Sequence, residues 1–265
     1  MREPAIPLSV ARRLQNAIVV RSILFNLAFY LNLGVLLLGA FTTLAMPHRA
    51  SLGMAKIWGR SSVWLLRVIC GTKVEFRGLE KLSKGAVIVA AKHQSTCETF
   101  ALLRHFEDFT FIVKRELMWI PIFGWCMWRA GMIPVDRGAG SQALADMTVR
   151  ARREIRGGRQ LIIFPEGTRR AAGAEPRYKF GVAQLYAEIG VPCVPVALNS
   201  GLFWPRRAFL RYPGTIVVEF LDPIPPGLGK DAFFARLQSD IETATARLVA
   251  EGRAELSRLG VDLYR

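Results

Sequence analysis

The hydrophobic pattern divides the chain into two unlike stretches. Residues 22–46 carry no charged side chain. Read as one helix, this stretch is roughly 37 Å long, enough to cross a hydrocarbon core of ~30 Å. It is too long for the core of a signal peptide, and Pro47-His48 stands where a small-residue cleavage site belongs. The expectation is an uncleaved membrane anchor, with a buried core helix as the alternative. Arg12, Arg13 and Arg21 precede it, and Arg49, Lys56, Arg60 and Arg67 follow it. Basic residues at both ends leave the positive-inside rule without an answer. A bent or shallow segment, eased by Asn26, Asn32, Gly34 and Gly39, keeps both flanks on one side. On a helix over 52–69, Lys56, Arg60 and Arg67 fall within about 40° of one another, opposite Met54, Trp58, Leu65 and Ile69. That pattern fits a helix lying in the membrane interface, and equally one packed on a protein core. Residues 1–70 are therefore expected to form a membrane-docked two-helix motif.

Beyond residue 70 the period changes. Short apolar runs at 72–76, 86–91, 109–113, 131–135, 160–164, 191–198 and 215–220 read as strands, several of them buried on both faces. Helical patterns occupy 98–105, 116–130, 141–156, 180–189 and 230–259. Ser141 can cap the third of these and Gly157-Gly158 ends it. This alternation predicts an α/β fold over 71–265, a mixed, mostly parallel sheet flanked by helices.

Composition narrows the partners. Formal net charge is +15 and 51% of residues are hydrophobic. A basic chain attracts nucleic acid, anionic lipid or phosphorylated substrates. No nucleic-acid module signature is present, so a membrane or phospholipid partner is expected and a nucleic acid is not. Cys70, Cys97, Cys126 and Cys193 form no C-x-x-C pair and read as reduced thiols facing a cytoplasmic compartment. The only histidines are His48, His93 and His105, too few for a His-rich metal site, and no metal is expected.

His93 directly follows the 86–91 strand, at the kind of strand end where α/β sites gather. Glu98 lies five residues on. On a continuous helix the two side chains would point about 140° apart. If Ser95 caps the helix, Glu98 turns back toward the loop and can hold the imidazole. The same spacing also makes Ser95-x-x-Glu98 a simple capping box. A His held by a carboxylate is a good general base. Ser95 and Cys97 are nearby hydroxyl and thiol groups, but neither lies in a nucleophile elbow. Glu166-Gly167-Thr168-Arg169-Arg170 follows the strand 160–164. The glycine lets backbone approach an anion, and a guanidinium fork suits phosphate. Arg137 ends a similar strand-loop unit, and Lys114 and Arg115 end another. For most of the 36 basic residues a solvated surface charge is the simpler reading, as is a local ion pair for Asp136-Arg137 and a pairing with Arg169 or Arg170 for Glu166.

Four blocks in order resemble the 1-acyl-sn-glycerol-3-phosphate acyltransferase family: His93-x4-Glu98, the run 131–137 ending in Asp136-Arg137, Glu166-Gly167-Thr168-Arg169, and Val191-Pro192-Cys193-Val194-Pro195-Val196. The chain departs in using Glu98 where many members have Asp. The resemblance implies that 71–265 is a glycerolipid acyltransferase domain acting at the cytoplasmic face of the inner membrane. His93 would take the proton from the sn-2 hydroxyl of lysophosphatidic acid, which would attack acyl-CoA or acyl-carrier protein as cosubstrate. No other cofactor is implied. Glu98 would orient His93. Arg137 and Arg169 would hold the phosphate, with Lys114 a further candidate. Glu166, Gly167 and Thr168 would shape the acceptor site, and Gly167 would help support the oxyanion. Met118, Trp119, Phe123, Trp125 and Trp128 would line an acyl groove, or form a core or membrane-facing patch. Acylation of another lyso-lipid such as lyso-ornithine lipid, a Ser95 or Cys97 hydrolase, and a non-enzymatic lipid-binding protein are the competing readings.

Overall fold

A computed structural model describes residues 8–136, 138 and 140–261. Helix α1 (Leu8–Thr42) runs through the uncharged stretch and turns back at Pro47 into α2 (His48–Leu65). A π-turn and Gly71, in the left-handed region at φ 72°, lead into β1 (Thr72–Arg77). There follow β2 (Val87–Ala91), α3 (Cys97–Ala101), β3 (Phe109–Lys114), α4 (Phe123–Arg129), β4 (Ile133–Val135), α5 (Gly140–Arg156) and β5 (Gln160–Ile163). The chain closes with α6 (Gly181–Ile189), β6 (Cys193–Leu198), α7 (Ser200–Phe203), β7 (Gly214–Phe220) and α8 (Lys230–Arg258).

All seven apolar runs become strands of one sheet, in the order β1-β7-β6-β2-β5-β3-β4. Only the β6–β7 pairing is antiparallel, so the sheet is mixed and mostly parallel. Side chains alternate across β2 with the two-residue period of a strand. Val87, Val89 and Ala91 face a core shared with α1, α2 and α3. Ile88 and Ala90 face the core under α5, α6 and α8. Because β2, β3, β4, β5 and β6 run the same way, their C-terminal ends emerge along one edge. That edge receives His93, Lys114, Glu166–Arg169 and Ser200.

Two expected helices are interrupted. The run 98–105 is α3 followed by a 3-10 turn at Leu102–His105. The run 116–130 is a 3-10 turn, then a break at Pro121-Ile122, then α4. Ile122 is left-handed at φ 61°, an uncommon conformation for a β-branched residue.

The described part of the N-terminal stretch, residues 8–70, is not set apart from the rest. Ile18, Phe25, Phe29, Leu52, Leu66 and Cys70 share one core with the sheet. Phe25 and Phe29 pack against Trp204, and Phe29 also against Phe100. Asn32 of α1 donates to Ser61 Oγ of α2 at 2.9 Å. Arg211 clamps the domain to α1: its Nη1 donates to the carbonyls of Ala208, Phe209 and Leu210, its Nη2 to Asn26 Oδ1, and its amide to Ser22 Oγ. Its guanidinium lies 4.3 Å from the Trp204 ring centre.

The outer face of α1 is apolar and exposed at Val20, Leu24, Leu27, Leu31, Val35 and Leu38, spaced as one helical stripe. The helix is long and apolar enough to cross a membrane. Along α2 and the π-turn after it, the side bearing Trp58 and Ile69 packs on the core. The exposed face of this continuous stretch mixes Ile57, Trp64 and Val68 with Arg60 and Arg67.

Candidate active site

The loop after β2 carries His93, and Glu98 opens α3 just beyond it. Glu98 is 1% exposed and accepts four hydrogen bonds. Its Oε1 receives the imidazole Nδ1 at 2.9 Å and the amides of Gln94 and Ser95 at 2.7 Å each. Its Oε2 receives Ser200 Oγ at 2.8 Å. The bond to the Ser95 amide and the imidazole bond therefore coexist on one oxygen, although α3 starts one residue later than a Ser95 cap requires, with Thr96 at its N-cap. With Nδ1–H donated to the carboxylate, Nε2 is the basic nitrogen. Among the described residues nothing hydrogen-bonds Nε2. The ring stacks on Phe164, with centres 4.1 Å apart and planes 17° apart, which fixes its tilt.

Glu166 lies behind this loop and is buried. Its Oε2 accepts the His93 amide at 3.0 Å and its Oε1 faces Lys92 Nζ at 3.0 Å. Burial pushes its carboxyl up, and the neighbouring Lys92 ammonium offsets only part of that. Its partner is thus Lys92, and neither Arg169 nor Arg170. It braces the His93 loop from behind, with both carboxylate oxygens already engaged. Gly167 takes φ 66°, which favours glycine, and its N–H donates to Phe164 O at 2.9 Å. That amide is committed to the turn, which argues against the expected oxyanion role. Thr168 is exposed and does not line the cavity described below. Arg169 Nη1 donates to Thr96 Oγ1 at 2.6 Å, and the Arg170 amide donates to His93 O at 2.8 Å.

His93, Thr96, Lys114 and Arg169 open onto one cavity of about 430 Å³. The rest of its lining is mostly hydrocarbon and aromatic, including Leu33, Leu37 and Ala40 of α1, Met54 and Trp58 of α2, and Phe123 and Met127 from α4. No acidic side chain lines it among the described residues. Lys114 also pairs with Glu116 at 2.9 Å. Arg137 lies outside the described residues. Its neighbour Asp136 pairs with Arg115 at 3.0 Å. Trp119, Trp125 and Trp128 turn outward, Trp128 with 74% of its surface exposed. Trp125 lies beside Phe41 of α1, with ring centres 6.4 Å apart. Of the aromatic residues expected in a groove, only Phe123 lines the cavity.

The other nucleophile candidates are sealed. Ser95 and Cys97 are fully buried, and burial pushes the Cys97 thiol well up. His105 packs 4.1 Å from the Phe76 ring, and burial pushes its pKa down to about 4. Sequence reasoning gave no role to Lys92, Thr96, Phe164, Ser200 or Glu242. Lys92 carried a readable signal, since a lysine closing a wholly apolar strand needs a buried counter-charge. Ser200 and Glu242 join the site only through the fold.

The Acyltransferase family model matches residues 73–199. The chain is 34% identical to a 1-acyl-sn-glycerol-3-phosphate acyltransferase of Pseudomonas aeruginosa over 221 residues, covering 83% of this chain and 84% of that one. It is 29% identical to human 1-acyl-sn-glycerol-3-phosphate acyltransferase alpha over 195 residues, covering 71% of this chain and 69% of that one. The crystal structure of the 1-acyl-sn-glycerophosphate acyltransferase PlsC from Thermotoga maritima superposes with a TM-score of 0.69, at 21% identity, over 86% of this chain and 97% of that one. That likeness is one of fold. By its identity to the Pseudomonas protein over more than four-fifths of its length, this chain belongs to the 1-acyl-sn-glycerol-3-phosphate acyltransferase family.

Proposed function

We propose that this protein transfers an acyl group from acyl-CoA or acyl-carrier protein to the sn-2 hydroxyl of 1-acyl-sn-glycerol-3-phosphate, forming phosphatidic acid at a membrane surface. One observation carries this reading: His93 and Arg169 open on the same largely apolar cavity. A general base, a phosphate-binding cation and room for hydrocarbon meet there.

In this reading His93 Nε2 takes the hydroxyl proton as the oxygen attacks the thioester carbonyl. The tetrahedral intermediate then expels the thiolate, which takes the proton from the imidazolium. Glu98 holds the ring and steadies its positive form. Arg169 keeps guanidinium N–H groups beyond the one given to Thr96, and these suit a phosphate oxygen pair. Lys114 adds a point charge at the same cavity, and Arg137 is proposed as a third cation. The sealed Ser95 and Cys97 favour direct transfer over a covalent acyl-enzyme.

The exposed stripe of α1 and the outward tryptophans support docking along the membrane plane, with the domain held beside the helix. Four free thiols support a reducing, cytoplasmic side.

The test is incubation of the purified protein with lysophosphatidic acid and labelled acyl thioesters, followed by identification of the product. Phosphatidic acid labelled at sn-2 is expected, with Ser95→Ala and Cys97→Ala keeping most of the activity. Acylation of an acceptor without phosphate, in preference to lysophosphatidic acid, would overturn the reading.

A further inference from the structure

Behind the catalytic loops lies a buried charged cluster that never faces the cavity. Lys92, adjacent to His93 in sequence, is 2% exposed. Its ammonium lies 3.0 Å from Glu166 Oε1 and 2.5 Å from Glu242 Oε1. Tyr178 donates its hydroxyl to the same Glu242 oxygen at 2.8 Å. Glu242 sits on α8, 150 residues along the chain from Lys92. The second oxygen of Glu166 accepts the His93 amide at 3.0 Å. An unbroken line of contacts therefore runs from α8 through Lys92 and Glu166 to the backbone of His93.

The charges in this line do not balance. Two carboxylates share one buried ammonium, Glu166 wholly enclosed and Glu242 at the partly exposed outer end. A buried ion pair of this kind contributes little to stability against a well-packed apolar replacement. What sets this cluster apart is where it ends, on the amide of the residue that carries the imidazole. A general base is sensitive to sub-ångström placement, and a displacement of about 1 Å can cost ~10²-fold in rate.

We propose that Lys92 and Glu242 are positioning residues for acyl transfer, the Glu242–Lys92–Glu166 line fixing the His93 backbone and so the aim of its ring. This rests on His93 acting as the base. Lys92 is the central member, because its loss leaves two carboxylates facing each other without a cation. Glu242 is the outer member, because its loss leaves a balanced Lys92–Glu166 pair.

The experiment compares full-length wild type, Lys92→Met, Glu242→Gln and the double variant. It measures kcat, KM for lysophosphatidic acid, melting temperature, and the ring NMR signals of the three histidines. Lys92→Met is expected to lower kcat ~10–10²-fold with KM within about twofold. Glu242→Gln is expected to lower kcat less and to shift the His93 ring signals. The double variant is expected to exceed Lys92→Met in kcat, because one of the opposed carboxylates is gone. A Lys92→Met enzyme that melts lower but keeps wild-type kcat would overturn the proposal. Should that variant not fold, Glu242→Gln decides: unchanged kcat and unchanged His93 signals defeat the assignment. Wild type unable to acylate lysophosphatidic acid would instead defeat the functional reading, and the NMR comparison would still report on the positioning line.

Discussion

The two sides of His93 are built on opposite plans. On the sheet side almost every polar group is tied: Glu98 accepts four bonds, and Glu166 and Lys92 each have two partners. On the cavity side, α1, α2 and α4 present hydrocarbon and aromatic surface, with few directional bonds. Directional bonds hold the proton-transfer geometry to one arrangement. Apolar contact is non-directional and roughly proportional to area, so it tolerates chains that differ in detail. In the proposed reading, the chemistry is thus fixed on one side and the choice of hydrocarbon is left to the other.

The sharpest way to break this division is His93→Ala. It should cut kcat by ~10²–10⁴-fold with the melting temperature nearly unchanged. A variant with near-wild-type turnover would show that the saturated side does not carry the chemistry. Arg169→Met comes next. Losing a charge-assisted contact to phosphate should raise KM for lysophosphatidic acid ~10–10²-fold, measured against an uncharged acceptor whose KM stays level. Ala40→Phe tests the opposite wall. A ring at this cavity-lining position should discriminate against the longest acyl chains by ~10-fold or more in kcat/KM and leave short ones nearly untouched. Equal losses for all chain lengths would mean that the wall supports the fold rather than selecting hydrocarbon.

The smallest effect concerns His105, remote from both sides. Its pKa falls from 6.5 to about 4 because burial disfavours its charged form. The unfolded chain takes up this proton near pH 6.5 and the folded protein only near pH 4. Stability from this residue is therefore complete above pH 6.5 and declines as acid is added. His105→Leu should flatten that part of the pH–stability curve, followed by thermal melts from pH 7 to 4.5.

The strands were legible because runs buried on both faces are continuous in sequence, as in 86–91 and 160–164. Helices were less legible where local breaks intervene, as at Pro121-Ile122. The His93–Glu98 pair was legible as a choice between two roles, since spacing cannot say whether one oxygen serves both. The Glu166 partner was missed because Lys92 lies 74 residues away. Thr96, Ser200 and Glu242 have no local pattern that marks them. The tryptophans at 119, 125 and 128 were legible as apolar, but the direction they face depends on how α4 lies against α1.

The clamp at Arg211 sets what kind of molecule can be handled at the bench. Phe25 and Phe29 are keystones of the same interior that supports the sheet, and a guanidinium with no carboxylate partner among the described residues is stitched to Asn26 beside them. Clipping away the first helix to obtain a freely dissolving enzyme would uncover that interior and strand the cation. That helix is a wall of the building, so the enzyme has to be handled with it in place.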